Sequence, residues 1–599
     1  MIPTTSVFSG AQDVAHIARV PLADRLPARD LPGLLEHAVR SRPQSLAIRF
    51  LSSGRLSDTP VDITYAALWD RVLSAAGVLV HHGVDTTDVV AFLLPNRPET
   101  LAAILAAQVV GIAAPINMYL EAAEIAGLLD AMNARVLVAH GEIVEAKLEA
   151  VLAACRQAPR VLRLDDLHAS VIEPLGSLRD RGDEHVALFH TGGTTGLPKL
   201  VPLSGLNLAA TAWFSTYAYG YTAGDTVLAA MPMFHVGGLL ASSLIPLLNG
   251  ACVVIDGELG YRGSGTMAEV WALAAREAVT VVIGPPTVMG QLALAMPERA
   301  EVPALRLLIN GAAALPVAIG NRLVEHLGVQ LTEPWGLTEA CLAATSMPLA
   351  GMRRAGSVGV ALPYCEVKAV AVDADGRECG DCPVDTIGVL AIRGPSVFGG
   401  YRGATLAAQP FFADGWLDTG DLGRVDAEGY VWITGRAKDL IKRGGHGIDP
   451  ATIETALYAH PAVALAAAVG KPDAYAGELP MAYVQLKPGC VADAADLLAW
   501  AAARITERAA IPKELVILEA LPLTGVGKVH KPQLRLDAAR RTFAALLHDE
   551  AGPAAAQTVE AQAHPRHGTS IRMRVPAAQV AAVQALFAPF PLHFEVDSL

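Results

Sequence analysis

Apolar and polar positions repeat along this chain with more than one period. Tyr65–His81 and Pro98–Val110 carry apolar residues at helical spacing, and Asp88–Leu94 between them is a short apolar run. Ala134–His140, Val279–Ile283 and Leu305–Ile309 are runs of the same kind. Short apolar runs separated by helices predict strands buried on both faces, and so a mostly parallel sheet. Folds of that type place their ligands in the loops that follow the strands. The stretch from Thr226 to Ile255 holds no Asp, Glu, Lys or Arg. Pro232, Gly237-Gly238, Pro246 and Asn249-Gly250 interrupt it, so it lacks the unbroken run of about 20 apolar residues that a membrane span needs. It predicts loop, buried helix, turn and strand inside a large core.

The pattern changes after about residue 365, where glycines and acidic turns become frequent and short strands are expected. It changes again near Gly435-Arg436-Ala437-Lys438. Beyond that point Pro450–Ala459 and Ala492–Ala509 read as helices, and Val463–Val469 and Met481–Lys487 as strands. Past residue 545 the chain turns to Ala, Gln, Pro and His, the composition of a linker. Ile571, Met573 and Val575 then alternate as in a strand, Ala577–Ala588 has helical spacing, and Leu592–Val596 reads as another strand. The expected fold is α/β. A large N-terminal domain (1–435) holds two αβ-layered sheets plus a β-rich subdomain. A small mobile α+β domain (436–545), a linker (546–568) and an appended β-α-β tail (569–599) follow it.

At 599 residues the chain is too long for one core, and with 52% apolar and 18% charged residues it is globular. A net charge of −13 excludes a nucleic-acid binder, which needs a basic stripe. Seven cysteines make no disulfide framework, and Cys379-x-x-Cys382 reads as a polar surface loop. The N-terminal stretch lacks a basic start followed by an apolar core, so a soluble cytoplasmic protein is expected.

Residues 190–200, HTGGTTGLPKL, gather three glycines, three threonines and a lysine. Glycine amides can converge on a phosphate, threonine hydroxyls add donors, and lysine adds a point charge. The ordinary nucleotide loop ends in Gly-Lys-Ser/Thr. Here Lys199 follows Pro198, and near Lys528 the required first glycine is Pro522 and Val529 replaces Ser/Thr, so neither fits. A flexible surface loop is the alternative reading of the residue types of 190–200. Further along stand Met231–Gly238 (MPMFHVGG), Asn310–Pro316 (NGAAALP), Trp335–Glu339 (WGLTE), Gly356–Gly359 (GSVG), Leu417–Asp421 (LDTGD), Gly435–Asp439 (GRAKD) with Ile441–Gly445 (IKRGG), and Pro522–Lys528 (PLTGVGK). Singly, each has a structural reading: Thr338-Glu339 as a helix cap, Asp421 as a turn cap, Arg436 as half an ion pair, Lys528 as a solvated cation, His235 as a core histidine.

Together, and in this order, they resemble the adenylate-forming superfamily of acyl-CoA synthetases, peptide-synthetase adenylation domains and beetle luciferases, from about Leu31 to Arg535. The resemblance implies attack of a carboxylate on the α-phosphate of ATP, giving acyl-AMP and pyrophosphate, then displacement of AMP by a thiol. It implies that Thr191, Gly192, Gly193, Thr194, Thr195, Gly196 and Lys199 close over the β- and γ-phosphates. Gly311, Ala312 and Ala313 would form the bed under adenine, Trp335 would cover one adenine face, and Gly336 beside it would belong to the same ATP/AMP-binding set. Thr338 would bond the α-phosphate, Glu339 would help hold Mg²⁺, and Asp421 would accept both ribose hydroxyls with Arg436 assisting. Lys528 would neutralise carboxylate and α-phosphate as they meet. Lys438 matches the hinge of the rotating small domain, and Lys442, Gly444 and Gly445 match the face used in the thioester step.

His235 matches a position between acyl pocket and phosphates in acyl- and aryl-CoA ligases. Amino-acid-activating relatives carry an acid near that place. Here none lies between Asp225 and Asp256, so the substrate is expected to lack an α-amino group, which would be buried unpaired. The acid pocket is expected to be walled by His235, Val236, Gly237, Gly238 and Ala340, mostly small and apolar, with the glycines and Ala340 making room. ATP, Mg²⁺ and CoA are the implied cofactors, and an apolar carboxylic acid the implied substrate. A stand-alone enzyme that loads a carrier protein is the alternative, and a non-catalytic scaffold a third reading. No nucleic-acid or membrane partner is expected, and a homodimer is allowed, with the tail as one place for self-association.

Overall fold

The computed structural model describes residues 7–598 apart from 170–177, 192–198, 298–300, 374, 406–408, 445, 565–567 and 591. Two sheets dominate the first half. One runs, from edge to edge, through Gln330–Thr332, Leu307–Asn310, Val281–Gly284, Thr226–Ala229, Cys252–Asp256, Leu46–Leu51 and Val61–Thr64. All neighbours pair parallel except the last two, which form a hairpin. The other runs through Arg160–Arg163, Ala134–Ala139, Val89–Leu93, Ile112–Pro115, His185–Thr191 and Lys199–Ser204, again parallel until its final antiparallel pair. Helix Pro98–Val110 is apolar on every side, so it is buried on every side. Helix Tyr65–His81 starts where the Thr64 hydroxyl accepts the Ala67 amide, and buries Leu68, Val72, Ala75 and Leu79.

A five-stranded antiparallel sheet follows, in the order Glu378–Asp381, Glu366–Val372, Gly388–Arg393, Leu417–Val425 and Val431–Arg436. Cys379 lies on its edge strand rather than in a loop, and both Cys379 and Cys382 are free thiols. The next sheet is built from His446–Ile448, Ile441–Arg443, Gly477–Leu486 and Val463–Asp473, with Glu514–Ile517 added alongside Gly477–Leu486.

Three expectations change. The front of the charge-free stretch is a strand, Thr226–Ala229, not a loop, because it pairs between Cys252–Asp256 and Val281–Gly284. The helix expected over Ala492–Ala509 is Ala494–Ala502; the Asp493 carboxylate caps it, and the chain leaves it to bury Ile505. The stretch read as a linker, 546–568, carries the end of helix Lys531–Ala551, the short helix Pro553–Ala556 and strand Glu560–His564. That strand has a polar composition, and its order comes from antiparallel pairing with Gly568–Val575. Parallel pairing of Gly568–Val575 with His593–Ser598, across helix Val580–Phe587, completes a three-stranded tail sheet. Ile571, Met573, Val583 and Phe587 close over Phe543 and Leu547 of the long helix.

Candidate active site

The loops after the parallel strands and the edge of the five-stranded sheet converge on one region. Thr191 ends one strand and Lys199 begins the next, and the two are register partners. Gly192, Gly193, Thr194, Thr195 and Gly196 lie outside the described residues. The Lys199 ammonium stands 4.4 Å over the ring of Tyr401. The Tyr401 hydroxyl donates to Glu339 Oε1 at 2.6 Å. Glu339 is buried in the single turn Thr338–Ala340 and its backbone carbonyl accepts the Phe398 amide. Among the described residues no group of three or more His, Cys, Asp or Glu is arranged to hold a metal ion by itself. A lone buried carboxylate suits Mg²⁺, a hard ion that takes most of its oxygens from phosphates and water.

Gly311, Ala312 and Ala313 follow strand Leu307–Asn310. Ala312 has φ of 77°, a conformation that costs a non-glycine residue and clusters at binding sites. The segment is held from below: Asn310 Nδ2 donates to the Ala313 carbonyl at 2.8 Å and to Glu333 Oε2 at 3.1 Å. Glu333 also accepts the Leu315 amide, and burial raises its carboxyl above the ordinary range. Gly336 has no room for a side chain, since a Cβ would stand 2.0 Å from the Leu342 carbonyl oxygen.

Trp335 is 6% exposed, and its indole N–H donates to Asp421 Oδ2 at 2.7 Å. Arg436 Nε donates to the other oxygen, Asp421 Oδ1, at 2.6 Å. Asp421 and Arg436 are register partners on neighbouring strands, which aims them at each other. The carboxylate is therefore fixed from both sides before any ligand arrives, and each oxygen keeps a second lone pair to offer.

His235 Nδ1 accepts the Gly237 amide at 3.0 Å, which leaves Nε2 to carry the proton. Burial holds this histidine down to about 3, with help from the Lys528 charge and then His190. His190 Nε2 accepts the Asn117 amide at 3.0 Å, and burial holds it down to about 4. His235, with neutral His190 next to it, thus stays uncharged beside the Lys528 ammonium. Lys528 itself is pushed down to about 8, first by burial and then by Arg436, against the pull of Asp421. Val236 and Ala340 are buried and apolar. The glycines do not simply make room: a Cβ on Gly238 would stand 2.0 Å from the Pro232 carbonyl oxygen, and one on Gly237 3.2 Å from His235 Nδ1. Gly238 is demanded by close packing at the head of the π-helical turn Gly237–Leu244.

Lys438 is exposed between the five-stranded sheet and the small domain. Lys442 and Gly444 are exposed on the small domain, tied through their amides to Glu478 and to the Ala476 carbonyl. They share none of the described contacts around Lys528, and Gly445 lies outside the described residues. Sequence reasoning passed over Tyr401, Glu333, Asn117 and His190. His190 opens the glycine-rich loop and Tyr401 sits among glycines in FGGYRG, which were the available signals. Nothing local marks Asn117.

The pattern of the AMP-binding enzyme family matches residues 35–402, and that of the AMP-binding enzyme C-terminal domain matches residues 452–528. The chain is 35% identical to the marinolic acid–CoA ligase of Pseudoalteromonas sp. (strain SANK 73390), over 88% of this chain and 84% of that protein. It is 33% identical to the indoleacetate–CoA ligase of Aromatoleum aromaticum, over 80% of this chain and 94% of that one. In structure it resembles ATP-bound MatB from Rhodopseudomonas palustris, with a TM-score of 0.74 at 28% identity, covering 85% of this chain and 98% of MatB.

Proposed function

From a chain that belongs to the AMP-binding enzyme family and is an acid–thiol ligase, we propose the following reaction: an apolar carboxylic acid without an α-amino group is activated by ATP and passed to CoA. The observation that carries this reading is the meeting of Lys528, from the small domain, with Asp421 and Arg436 on one side and His235 on the other. In the first step a carboxylate oxygen attacks the α-phosphorus, a phosphorus–oxygen bond forms, and pyrophosphate leaves. Both reactants are anions, so the chief need is a fixed cation at their meeting point with few water molecules to reorganise. Lys528 supplies that cation, and neutral His235 adds no second charge beside it. Asp421, locked by Trp335 and Arg436, takes the ribose hydroxyls. The Gly311–Ala313 bed takes adenine. Lys199 and the loop before it take the departing phosphates. Glu339, oriented by Tyr401, is the residue that would hold Mg²⁺, which supplies charge neutralisation to the phosphates. In the second step the thiol sulfur attacks the acyl carbonyl, its proton passes to solvent, and AMP leaves.

Three observations support an apolar acid. Val236, Leu239, Leu240 and Ala340 are buried. No acidic residue lies between Asp225 and Asp256 to pair an ammonium. His235 stays neutral, so it adds no charge for a second carboxylate. The test is a panel of aliphatic, aryl-substituted, dicarboxylic and amino acids offered with ATP, Mg²⁺ and CoA, following AMP release. The expected result is turnover of aliphatic or aryl acids that depends on free CoA. Turnover confined to amino acids or short dicarboxylates, or thioester formation only on a carrier protein, overturns the reading.

A further inference from the structure

The loop that carries Lys528 is held by residues of the large domain far from it in sequence. Thr524–Lys528 is a tight turn: the Thr524 amide donates to the Lys528 carbonyl at 2.7 Å and the Gly527 amide to the Thr524 carbonyl at 2.9 Å. Both ends of this turn keep a carbonyl that also accepts from outside. Arg262 Nη2 donates to the Thr524 carbonyl at 2.8 Å. The Thr287 hydroxyl donates to the Gly527 carbonyl at 2.6 Å. Between them Gly525 lies so close to Asn117 that a Cβ would stand 2.3 Å from Asn117 Nδ2.

The surface that receives the turn is itself braced. The Asn117 side chain accepts the Tyr119 amide, and its own amide goes to His190. Lys147 donates to the Met118 and Leu120 carbonyls. The Arg262 guanidinium lies 4.2 Å over the Tyr119 ring, which packs edge-on to Phe234 beside His235. Arg262 thus has its plane set by one ring and its fork aimed at one carbonyl.

We infer that Asn117, Arg262 and Thr287 form a seat for the 524–528 turn, with Arg262 as the positioning residue that holds Lys528 at the reacting carboxylate. The contacts go to backbone atoms of the small domain from side chains of the large one, so they exist only in the domain arrangement that places Lys528 in the site. The seat favours that arrangement over any other by the free energy of those contacts. The inference rests on the reading of Lys528 as the adenylation cation.

The experiment is acetylation of the purified full-length protein with acetic anhydride, without acid or nucleotide, quantified by mass spectrometry at Lys528 against Lys471, which is paired with Glu514 in the small domain. Arg262→Ala is expected to raise labelling of Lys528 relative to Lys471 by about fivefold, the scale of one net hydrogen bond. Arg262→Lys, which keeps a donor and a cation over Tyr119, is expected to restore protection. Gly525→Ala, which lifts the turn off Asn117, is expected to raise labelling in the same way. Unchanged labelling in both Arg262→Ala and Gly525→Ala overturns the seat, as does equal labelling in the Lys and Ala variants of Arg262. This outcome does not depend on which acid the enzyme takes, so it is separable from a failure of the acid panel.

Discussion

Asp256 ends strand Cys252–Asp256, is 0% exposed, and has no hydrogen-bond partner for either carboxylate oxygen among the described residues. Burial, and then the charge of Asp58, push its carboxyl up to about 7. A proton is therefore kept in the folded state over a range where the unfolded chain has already released it. The unfolded value is about 4, so stability falls as pH rises from about 4 to about 7 and is level above that. Asp256→Asn removes the ionisation while keeping the shape. The thermal midpoint of the variant should exceed that of the parent by more at pH 8 than at pH 5, and a pH-independent difference would contradict this origin. The same physics is used in the opposite sense at Lys528, where a lowered value makes a cation that solvates poorly and interacts strongly.

At the scale of elements, the turn after Met231 puts a second demand on a glycine. Gly238 was expected to make room in the acid pocket, and a Cβ on it would stand 2.0 Å from the Pro232 carbonyl oxygen, so the residue also serves the path of the chain. Gly238→Ala should cost about 3 kcal/mol of stability by overpacking, seen as a lowered denaturant midpoint at unchanged slope. Strand and helix positions were legible because apolar period and length suffice for them: Tyr65–His81 needs no partner to be recognised. Strand Glu560–His564 was not legible, because its residues have little strand preference and its order is set by a neighbour it meets only in the fold. The site divides in the same way. Lys528, Asp421 and Glu339 are singled out by their motifs, whereas Arg262 and Asn117 meet the 524–528 turn through contacts between segments more than two hundred residues apart. Local sequence carries no trace of such contacts.

Across the whole molecule, helix Lys531–Ala551 joins two cores. Leu534 and Ala538 pack under the small domain's sheet, while Phe543 and Leu547 pack under the tail sheet. Phe543 touches Phe587, Phe590 and Phe594 edge-on. Phe543→Ala should cost the tail about 4 kcal/mol. Limited proteolysis should then cut within 552–598 well before the large domain is attacked, and uniform sensitivity along the chain would show that the tail has no core of its own. With 21 residues the helix is about 30 Å long. It begins three residues after Lys528, which makes it a crank with the proposed adenylation lysine at the axle and the tail sheet at the handle. If the lysine loop leaves the site as proposed, a turn of about 5° there carries the far end of this helix about 3 Å, so the position of the tail would report that movement from outside.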